Sequence, residues 1–411
     1  MEHVIEHAIG IYIGLLLMAC LVGVLAKFFA HVPYAVALTL MGLLVAILKI
    51  GPDIAETGFS RELIFFVMLP PLLFQGALHM EWNRLAAQAW PIVTFASIGL
   101  LISVFVIGGV FYLGAGVDSF LLALLFGAMV TPTDPVSVLA IFKECRGPTD
   151  LRYIIEGESL FNDGVGIVVF YIIYKMIAGQ AEFQAAAALS EFAWVAVGGV
   201  LLGALLGYLT FVLLTKLEDH LLENAICLVL AYGCFWLGEL MHLSGVIATV
   251  VAGLVVGNYG RRESMSDKTM QTVETFFESI DFLINSLLFI LIGLELQQIT
   301  AEDITANLRP LGVAVVGLLL SRALAVYPLY WILNIAGTRR PPKWAHVLFW
   351  GGLRGSIPIA LLLGLPRGVP IIDENRPMLL VAGFGVVVFS LVVQGLTMKP
   401  LMRRLGLVAS A

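Results

Sequence analysis

The sequence predicts an all-α polytopic membrane protein. Of its 411 residues, 60% are hydrophobic and only 13% are charged, against about 25% charged in a typical soluble domain. Apolar runs of about 17–25 residues, the length that crosses a hydrocarbon core, recur along the whole chain. A soluble globule could not bury that many. We therefore expect residues 1–411 to form a single integral membrane unit whose main partner is the lipid bilayer.

Polar residues, glycines and prolines divide the apolar runs into about thirteen candidate helices. A helix satisfies its own backbone polar groups, as a lipid environment requires. The fourth run is long and the ninth is short, so the count could be off by one. The expected spans are 8–27, 33–50, 59–78, 89–115, 119–142, 155–177, 191–215, 221–240, 243–258, 276–297, 309–336, 345–365 and 377–399.

The distribution of Lys and Arg orients these spans. With the N-terminus outside and the loops assigned alternately, fifteen basic residues fall on the cytoplasmic side and six on the outer side. This bias follows the positive-inside rule and predicts a cytoplasmic C-terminus in a cell membrane. The first residues lack the basic region and cleavage site of a signal peptide. A net charge of −6 argues against a nucleic-acid partner.

Two stretches, 10–14 and 198–207, carry glycines at helical spacing. Small residues at this spacing predict close helix packing, with a dimer contact as a further possibility. The four cysteines have neither the spacing of a metal site nor that of a disulfide framework. We therefore expect no metal cofactor held by cysteines.

Four ionisable residues lie inside apolar spans: Asp134, Asp163, Arg322 and Arg354. At 1.5 Å per residue, each is roughly 12–23 Å from the start of its span and so close to the midplane. Ionisable side chains at that depth are costly, and by default they face a cavity or a partner and mark a pathway. Four charges at one depth indicate a single polar centre.

The fifth span is interrupted at T-P-T-D-P, residues 131–135. Neither proline can donate a backbone hydrogen bond, so two upstream carbonyls lose their helical partners. Exposed backbone at this depth persists only where protein or a water-filled cavity satisfies it. Free carbonyls, the hydroxyls of Thr131 and Thr133 and the carboxylate of Asp134 would form a shell of hard oxygens, which suits a small hard cation. The alternative is a proline kink capped by Thr and Asp.

The sixth span contains E-S-L-F-N-D-G, residues 158–164. Ser159 and Asp163 are four residues apart and share one helix face, while Glu158 and Asn162 share the adjacent face. Asp163 can complete the oxygen shell with Ser159 beneath it, and a buried Glu158 would need a cationic partner. The alternative is a set of polar residues that join helices by hydrogen bonds. That alternative explains Ser and Asn better than it explains two carboxylates.

The twelfth span is interrupted as well, because three glycines and Pro358 surround Arg354 in G-G-L-R-G-S-I-P. Two interrupted helices in corresponding halves of a chain indicate an inverted-repeat transporter whose site lies where they cross. Arg322, in the eleventh span, adds a second fixed positive charge. The alternative for either arginine is a structural ion pair without a role in transport. Glu278, Asp281 and Glu295 are expected to be interfacial or packing partners, or else to form a funnel for cations.

Three motifs together resemble those of the monovalent cation:proton antiporter family: T-P-T-D-P, G-E-S-L-F-N-D-G-V-G-I-V-V-F and G-G-L-R-G-S-I-P, in this order. This family includes the NhaP-type sodium–proton antiporters and the animal sodium–proton exchangers. The resemblance implies inverted repeats with two discontinuous crossing helices, and a homodimer. It implies core transport helices at approximately 89–177 and 309–399, with the other helices as scaffold and dimer contact. The sequence lacks the long cytoplasmic tail of the animal exchangers, so we expect no soluble regulatory domain.

The resemblance also implies a function, the exchange of Na⁺ or Li⁺, sometimes K⁺, for H⁺ by an electroneutral cycle. By motif position, Asp163 would carry the cation and the proton. Asp134, Thr133 and Ser159 would share the Na⁺ with it, and Asn162 would be its neutral neighbour. No cofactor is implied beyond the transported ions.

Three further residues, two of them in the motifs, would set the charge of the site. Glu158, grouped with the cation- and proton-binding residues, would pair with Arg322, and Arg354 would compensate charge where the helices cross. The protein would then be a transporter and not an enzyme. The alternatives that the sequence leaves open are a K⁺/H⁺ antiporter, a channel with the same centre and, remotely, an intramembrane aspartyl protease.

Overall fold

A computed structural model describes residues 2–28, 33–49, 62–179, 185–217, 219–259, 267–294, 297, 299–337 and 340–408. All the regular elements within these ranges are helices. Among the described residues, seven helices are long and apolar enough to cross a membrane, and five shorter apolar helices accompany them. The predicted all-α polytopic membrane fold is confirmed, whereas the count of thirteen spans stays a prediction. Glu295 lies outside the described residues.

The helices are numbered here in chain order. In the first half of the chain they are α1 (Glu2–Phe28), α2 (Tyr34–Leu48), α3 (Leu69–Leu78, preceded by a π-helical turn at Leu63–Met68), α4 (Trp82–Ala87), α5 (Ala89–Thr94), α6 (Leu100–Gly114, preceded by a π-helical turn at Phe95–Gly99), α7 (Phe120–Val130), α8 (Val136–Cys145) and α9 (Thr149–Ile177). In the second half they are α10 (Ala185–Leu214), α11 (His220–Leu240), α12 (Gly245–Tyr259), α13 (Asp267–Leu294), α14 (Ala301–Ala306), α15 (Leu308–Ile335), α16 (Lys343–Trp350), α17 (Ser356–Leu363), α18 (Pro370–Phe389, followed by a π-helical turn at Ser390–Gln394) and α19 (Gly395–Arg404).

Two groups of helices make up the fold. In the first group α10 and α3 pack on α12, and α2 packs on α13. In the second group α6 packs between α7 and α15, and α19 packs on α8 and α16. Helix α9 contacts α7 in the second group as well as α10 and α12 in the first. It therefore lies at the boundary between the two groups, and it carries the E-S-L-F-N-D-G motif.

Glycines bring helices of the first group very close together. A Cβ atom added at Gly203 would lie 2.2 Å from the carbonyl oxygen of Ala248, and one at Gly42 would lie 2.2 Å from that of Ile290. The glycines at 198–207 therefore pack against α12 within one chain, and the predicted close helix packing is confirmed there. The glycines of 10–14 differ, since no atom lies within 4 Å of a Cβ added at either one.

The outer surface of the fold is apolar. Large side chains such as Trp90, Trp194 and Val229 are exposed on it. An exposed apolar surface of this extent is typical of a membrane interface. Among the free cysteines, Cys20 is exposed on α1 and the other three are buried.

Candidate functional site

Two interrupted helices meet in the second group. Helix α7 ends at Val130 and α8 begins at Val136, while α16 ends at Trp350 and α17 begins at Ser356. The backbone N–H of Asp134 donates to the carbonyl of Leu353 over 2.8 Å. The two irregular segments, 131–135 and 351–355, therefore lie side by side and satisfy each other, as backbone at membrane depth must be satisfied.

Gly355 leaves room for the side chain of Asp134. A Cβ atom added at Gly355 would lie 2.1 Å from Oδ2 of Asp134, closer than real Cβ contacts. The absence of a side chain at Gly355 therefore allows the Asp134 carboxylate to lie where it does.

We expect Gly355→Ala to displace the Asp134 carboxylate and to lower ion exchange, at a cost of about 1–3 kcal/mol for the overpacked contact. The matched control is Gly109→Ala on α6, where an added Cβ meets no atom within 4 Å. The measurement is the initial rate of exchange in vesicles, together with the melting temperature. Equal rates in the two variants would show that Gly355 does not position Asp134.

Helix α9 holds the first interrupted segment by a hydrogen-bond network around Thr133. The Asn162 amide donates to Oγ1 of Thr133 over 2.7 Å, and its carbonyl oxygen accepts from the backbone N–H of Thr133 over 3.3 Å. The hydroxyls of Thr133 and Ser159 are 2.9 Å apart. All three residues are buried. Both the N–H and the oxygen of the Asn162 amide therefore bind Thr133, a role that the sequence did not predict.

Asp163 and Asp134 line one cavity of about 300 Å³, and Thr133 lines it beside them. Both carboxylates are partly buried. The structure therefore brings these three predicted ligands to one space. Ser159 and Asn162 lie one hydrogen bond behind it, through Thr133.

Glu158 and Arg322 form a buried ion pair. Nη1 of Arg322 lies 2.5 Å from Oε1 of Glu158, and Nη2 donates to the carbonyl of Leu348. Both side chains are less than a tenth exposed. Since breaking such a pair leaves a buried charge uncompensated, it is a strong constraint on how α9 and α15 sit together.

Arg354 binds a backbone oxygen that the sequence assigned to a cation, the carbonyl of Thr131. Its guanidinium donates to the carbonyls of Thr131 and Pro132, and its backbone N–H donates to Oγ of Ser390 over 3.0 Å. Arg354 is fully buried. The Thr131 hydroxyl donates to the carbonyl of Gly127. The expected shell of free carbonyls and a Thr131 hydroxyl is therefore smaller than predicted, because a guanidinium binds the Thr131 carbonyl and Thr131 does not line the cavity.

The site combines three carboxylates with two guanidinium groups. When ionised, Asp134, Asp163 and Glu158 carry three negative charges, and Arg322 and Arg354 carry two positive charges. The net charge of these five groups is −1. In a medium of low dielectric constant an uncompensated charge is costly, so one monovalent cation or one proton would neutralise this set of five.

A polar stripe on α13 forms the opposite wall of the cavity. Glu278, Asp281 and Asn285 lie three and four residues apart and all line it. Asn285 donates to Oδ1 of Asp281 over 2.8 Å. From the sequence, Glu278 and Asp281 could be packing partners or part of a funnel for cations. Their positions on the cavity wall fit the funnel. Asn285 was missed, although its spacing from Asp281 continues the stripe.

One end of the cavity carries further ionisable groups. Nε2 of His79 lies 3.6 Å from Oε1 of Glu278, and Nε of Arg152 lies 3.5 Å from Oε2 of Glu156. His79 directly follows α3, and Arg152 lies in the first turn of α9. The side chains of Glu278 and Arg152 are 60% and 45% exposed, so we take this end, where α3 ends and α9 begins, as the mouth of the cavity.

Comparison with known proteins decides the family. The family model described as "Sodium/hydrogen exchanger, transmembrane" matches residues 15–404. The chain belongs to the sodium/hydrogen exchanger family. This is the family that the three motifs resemble, so the resemblance is confirmed.

Two curated relatives and one solved structure are similar to this exchanger. The Na⁺/H⁺ antiporter NhaP of Pseudomonas aeruginosa is 42% identical, over 86% of this chain and 83% of the relative. ApNhaP of Aphanothece halophytica, also a Na⁺/H⁺ antiporter, is 38% identical over 93% of this chain and 72% of the relative. The sodium proton antiporter MjNhaP1 from Methanocaldococcus jannaschii, at pH 8, matches 99% of this chain and all of its own with a TM-score of 0.81. Its sequence identity is 22%, so it shows the fold alone.

These matches bear on the alternatives. The family and the similar structure are those of transporters, so the protease alternative is not favoured for this exchanger. The predicted antiporter fold with discontinuous helices agrees with the similarity to MjNhaP1.

Proposed function

We propose that this exchanger is a secondary active antiporter that moves Na⁺, or Li⁺, in exchange for H⁺. The observation that carries the proposal is the cavity that ends at Asp163 and Asp134, beside the two interrupted helices. The names of its relatives, which are Na⁺/H⁺ antiporters, support Na⁺ as the cation.

In this proposal Na⁺ enters the cavity and is held by the carboxylates of Asp163 and Asp134 and the hydroxyl of Thr133. Ser159 acts beside Thr133, since their hydroxyls share a hydrogen bond. Oxygen ligands of this kind suit a hard cation. Asn162 keeps Thr133 in place, and as a neutral residue it adds no charge for a second proton to neutralise.

The net charge of −1 supports an electroneutral cycle. Either Na⁺ or H⁺ brings the site to zero, and the two compete for Asp163. The loaded site can then cross the low-dielectric interior. The empty site cannot, because its uncompensated charge is costly there. Because the protein moves only when loaded, inward movement of one ion requires outward movement of the other.

The position of the cavity mouth supports a model for alternating access. One wall comes from α3 and α13, and the other comes from α8, α9 and α17. We propose that the core helices, approximately 89–177 and 309–399, move against the remaining helices and carry the site between the two membrane faces. The bias in Lys and Arg supports a cell-membrane orientation with the C-terminus and the present mouth on the cytoplasmic side and the N-terminus outside.

The function is tested in proteoliposomes that enclose a pH-sensitive dye. We expect Na⁺ and Li⁺ to drive proton movement, and the rate to be insensitive to membrane potential. A larger response to K⁺ than to Na⁺ would make the protein a K⁺/H⁺ antiporter instead. Current carried by Na⁺ without any proton movement would identify a channel and overturn the proposal.

We also propose that the protein is a homodimer whose copies meet along α1. The support is the open face of this helix, where Gly10 and Gly14 have no neighbour within 4 Å and Ile13 and Leu17 are exposed. Small residues let two membrane helices approach closely. Cys20 is an exposed free thiol on the same helix, so mild oxidation in membranes should link two chains through it. Absence of a linked dimer in the wild type would argue against this contact.

A further inference from the structure

A second cavity, of about 450 Å³, opens on the outer surface between α15, α16 and α19. Tyr327, Phe349 and Trp350 form its aromatic wall, and Leu401 faces them from α19. We name this cavity the aromatic groove. It is separate from the ion cavity, with which it shares no lining residue.

The polar side chains of the aromatic wall are already paired with neighbours. The hydroxyl of Tyr327 lies 2.9 Å from Nδ1 of His346, and Nε1 of Trp350 donates to Oγ1 of Thr397 over 2.7 Å. What remains open is mainly hydrocarbon and aromatic surface. Water finds few hydrogen-bond partners in such a space, which favours an apolar occupant.

One end of the aromatic groove is cationic. The residues of α19 that line it, from Thr397 to Arg404, lie on one helix face over about 10 Å. Arg403 and Arg404 are exposed in the last turn. Within the described part of the chain, no ion pair or side-chain hydrogen bond is recorded for either guanidinium. Nζ of Lys343 approaches the same end, where it donates to the carbonyl of Leu405 over 3.3 Å.

The aromatic groove, apolar with a cationic end, is complementary to a lipid with a negatively charged headgroup. Aromatic side chains are enriched at the level of membrane headgroups, and each Lys or Arg near an anionic membrane surface contributes about 1 kcal/mol of attraction. We propose that the aromatic groove binds one anionic phospholipid of the leaflet at which α19 ends. Its acyl chain lies against Tyr327 and Trp350, and its phosphate lies at Arg404.

The site would connect the lipid to the transport machinery through α16. This helix lines the aromatic groove and runs directly into segment 351–355, whose Leu353 carbonyl holds Asp134. A bound lipid would therefore join α16 to α19 along their length, with its phosphate near Lys343, at the end of α16 opposite to the ion site. A competing explanation assigns Arg403 and Arg404 only to the helix dipole, which cations near a C-terminus stabilise.

The test reconstitutes the full chain in equal parts of phosphatidylglycerol and phosphatidylcholine, returns it to detergent and counts the retained lipids by native mass spectrometry. Arg404→Gln removes a charge, and Leu401→Trp fills the aromatic groove. Lys216→Gln is the control, because Lys216 is an exposed cation at the end of α10, away from the groove. The melting temperature of each delipidated variant is measured as well.

We expect the wild type and Lys216→Gln to retain phosphatidylglycerol in preference to phosphatidylcholine. Arg404→Gln should weaken this preference about fivefold, the equivalent of one lost cationic contact. Leu401→Trp should retain neither lipid at the site. Equal retention of phosphatidylglycerol by Arg404→Gln and the control would overturn the proposal. In that case, a lower melting temperature for Arg404→Gln would leave the helix dipole as the role of this arginine.

Discussion

Exchange of Na⁺ for H⁺ is expected to disappear when Asp163 is replaced by asparagine. The amide of Asp163→Asn can neither bind nor release a proton at physiological pH. The substitution also removes one negative charge, so the ionised site is already neutral before a cation binds. A bound cation would then carry an uncompensated positive charge across the low-dielectric interior. The measurement is the response of an enclosed pH-sensitive dye to a Na⁺ gradient.

The control for this variant is Asp150→Asn. It makes the same chemical change on the same helix, but Asp150 lies exposed in the first turn of α9. We expect it to exchange ions at the wild-type rate, with at most a small loss of stability from the helix dipole. Both proteins should elute as single folded species. Wild-type exchange by Asp163→Asn would remove this residue from the ion site.

The largest loss of stability is expected for Glu158→Gln. This change leaves Arg322 buried with its charge uncompensated, since the two form an ion pair at 2.5 Å. Breaking a buried pair in this way costs about 3–5 kcal/mol. We expect a clear fall in the melting temperature of the purified protein, and slower exchange because the charge of the site has changed.

The double variant Glu158→Gln/Arg322→Gln separates the two effects. It removes both charges, so the ionised site returns to a net charge of −1, and no buried guanidinium remains unpaired at this position. We expect its stability loss to be smaller than the sum of the single losses, as for residues in contact, and its exchange to recover in part. A melting temperature for Glu158→Gln equal to that of the wild type would contradict the structural role of the pair.

The interrupted helices were predictable because their causes are local. Pro132 and Pro135 remove backbone donors wherever they occur in a helix, and three glycines within five residues weaken the twelfth span. A shared depth for the charged residues is likewise a prediction from spacing, since the cost of a buried charge depends on where it lies in the membrane. These arguments need only spacing along the chain.

The contacts across the site depend on tertiary register and were not predictable. Nothing in the spacing shows that Ser390 accepts the backbone N–H of Arg354, or that the Arg354 guanidinium takes the Thr131 carbonyl. The polar stripe on α13 was visible as a pattern. Whether it faced lipid headgroups, a neighbour or a cavity depended on how the first group of helices sits against the second.

The competition at Asp163 is tested most directly by proton release on Na⁺ binding. The purified protein is titrated with NaCl in weakly buffered detergent solution, at a pH where the site is protonated, and bound Na⁺ and released H⁺ are both counted. The account predicts one proton released for each Na⁺ bound in the wild type, and no release in Asp163→Asn. Stoichiometric Na⁺ binding to the wild type without release of a proton would contradict it.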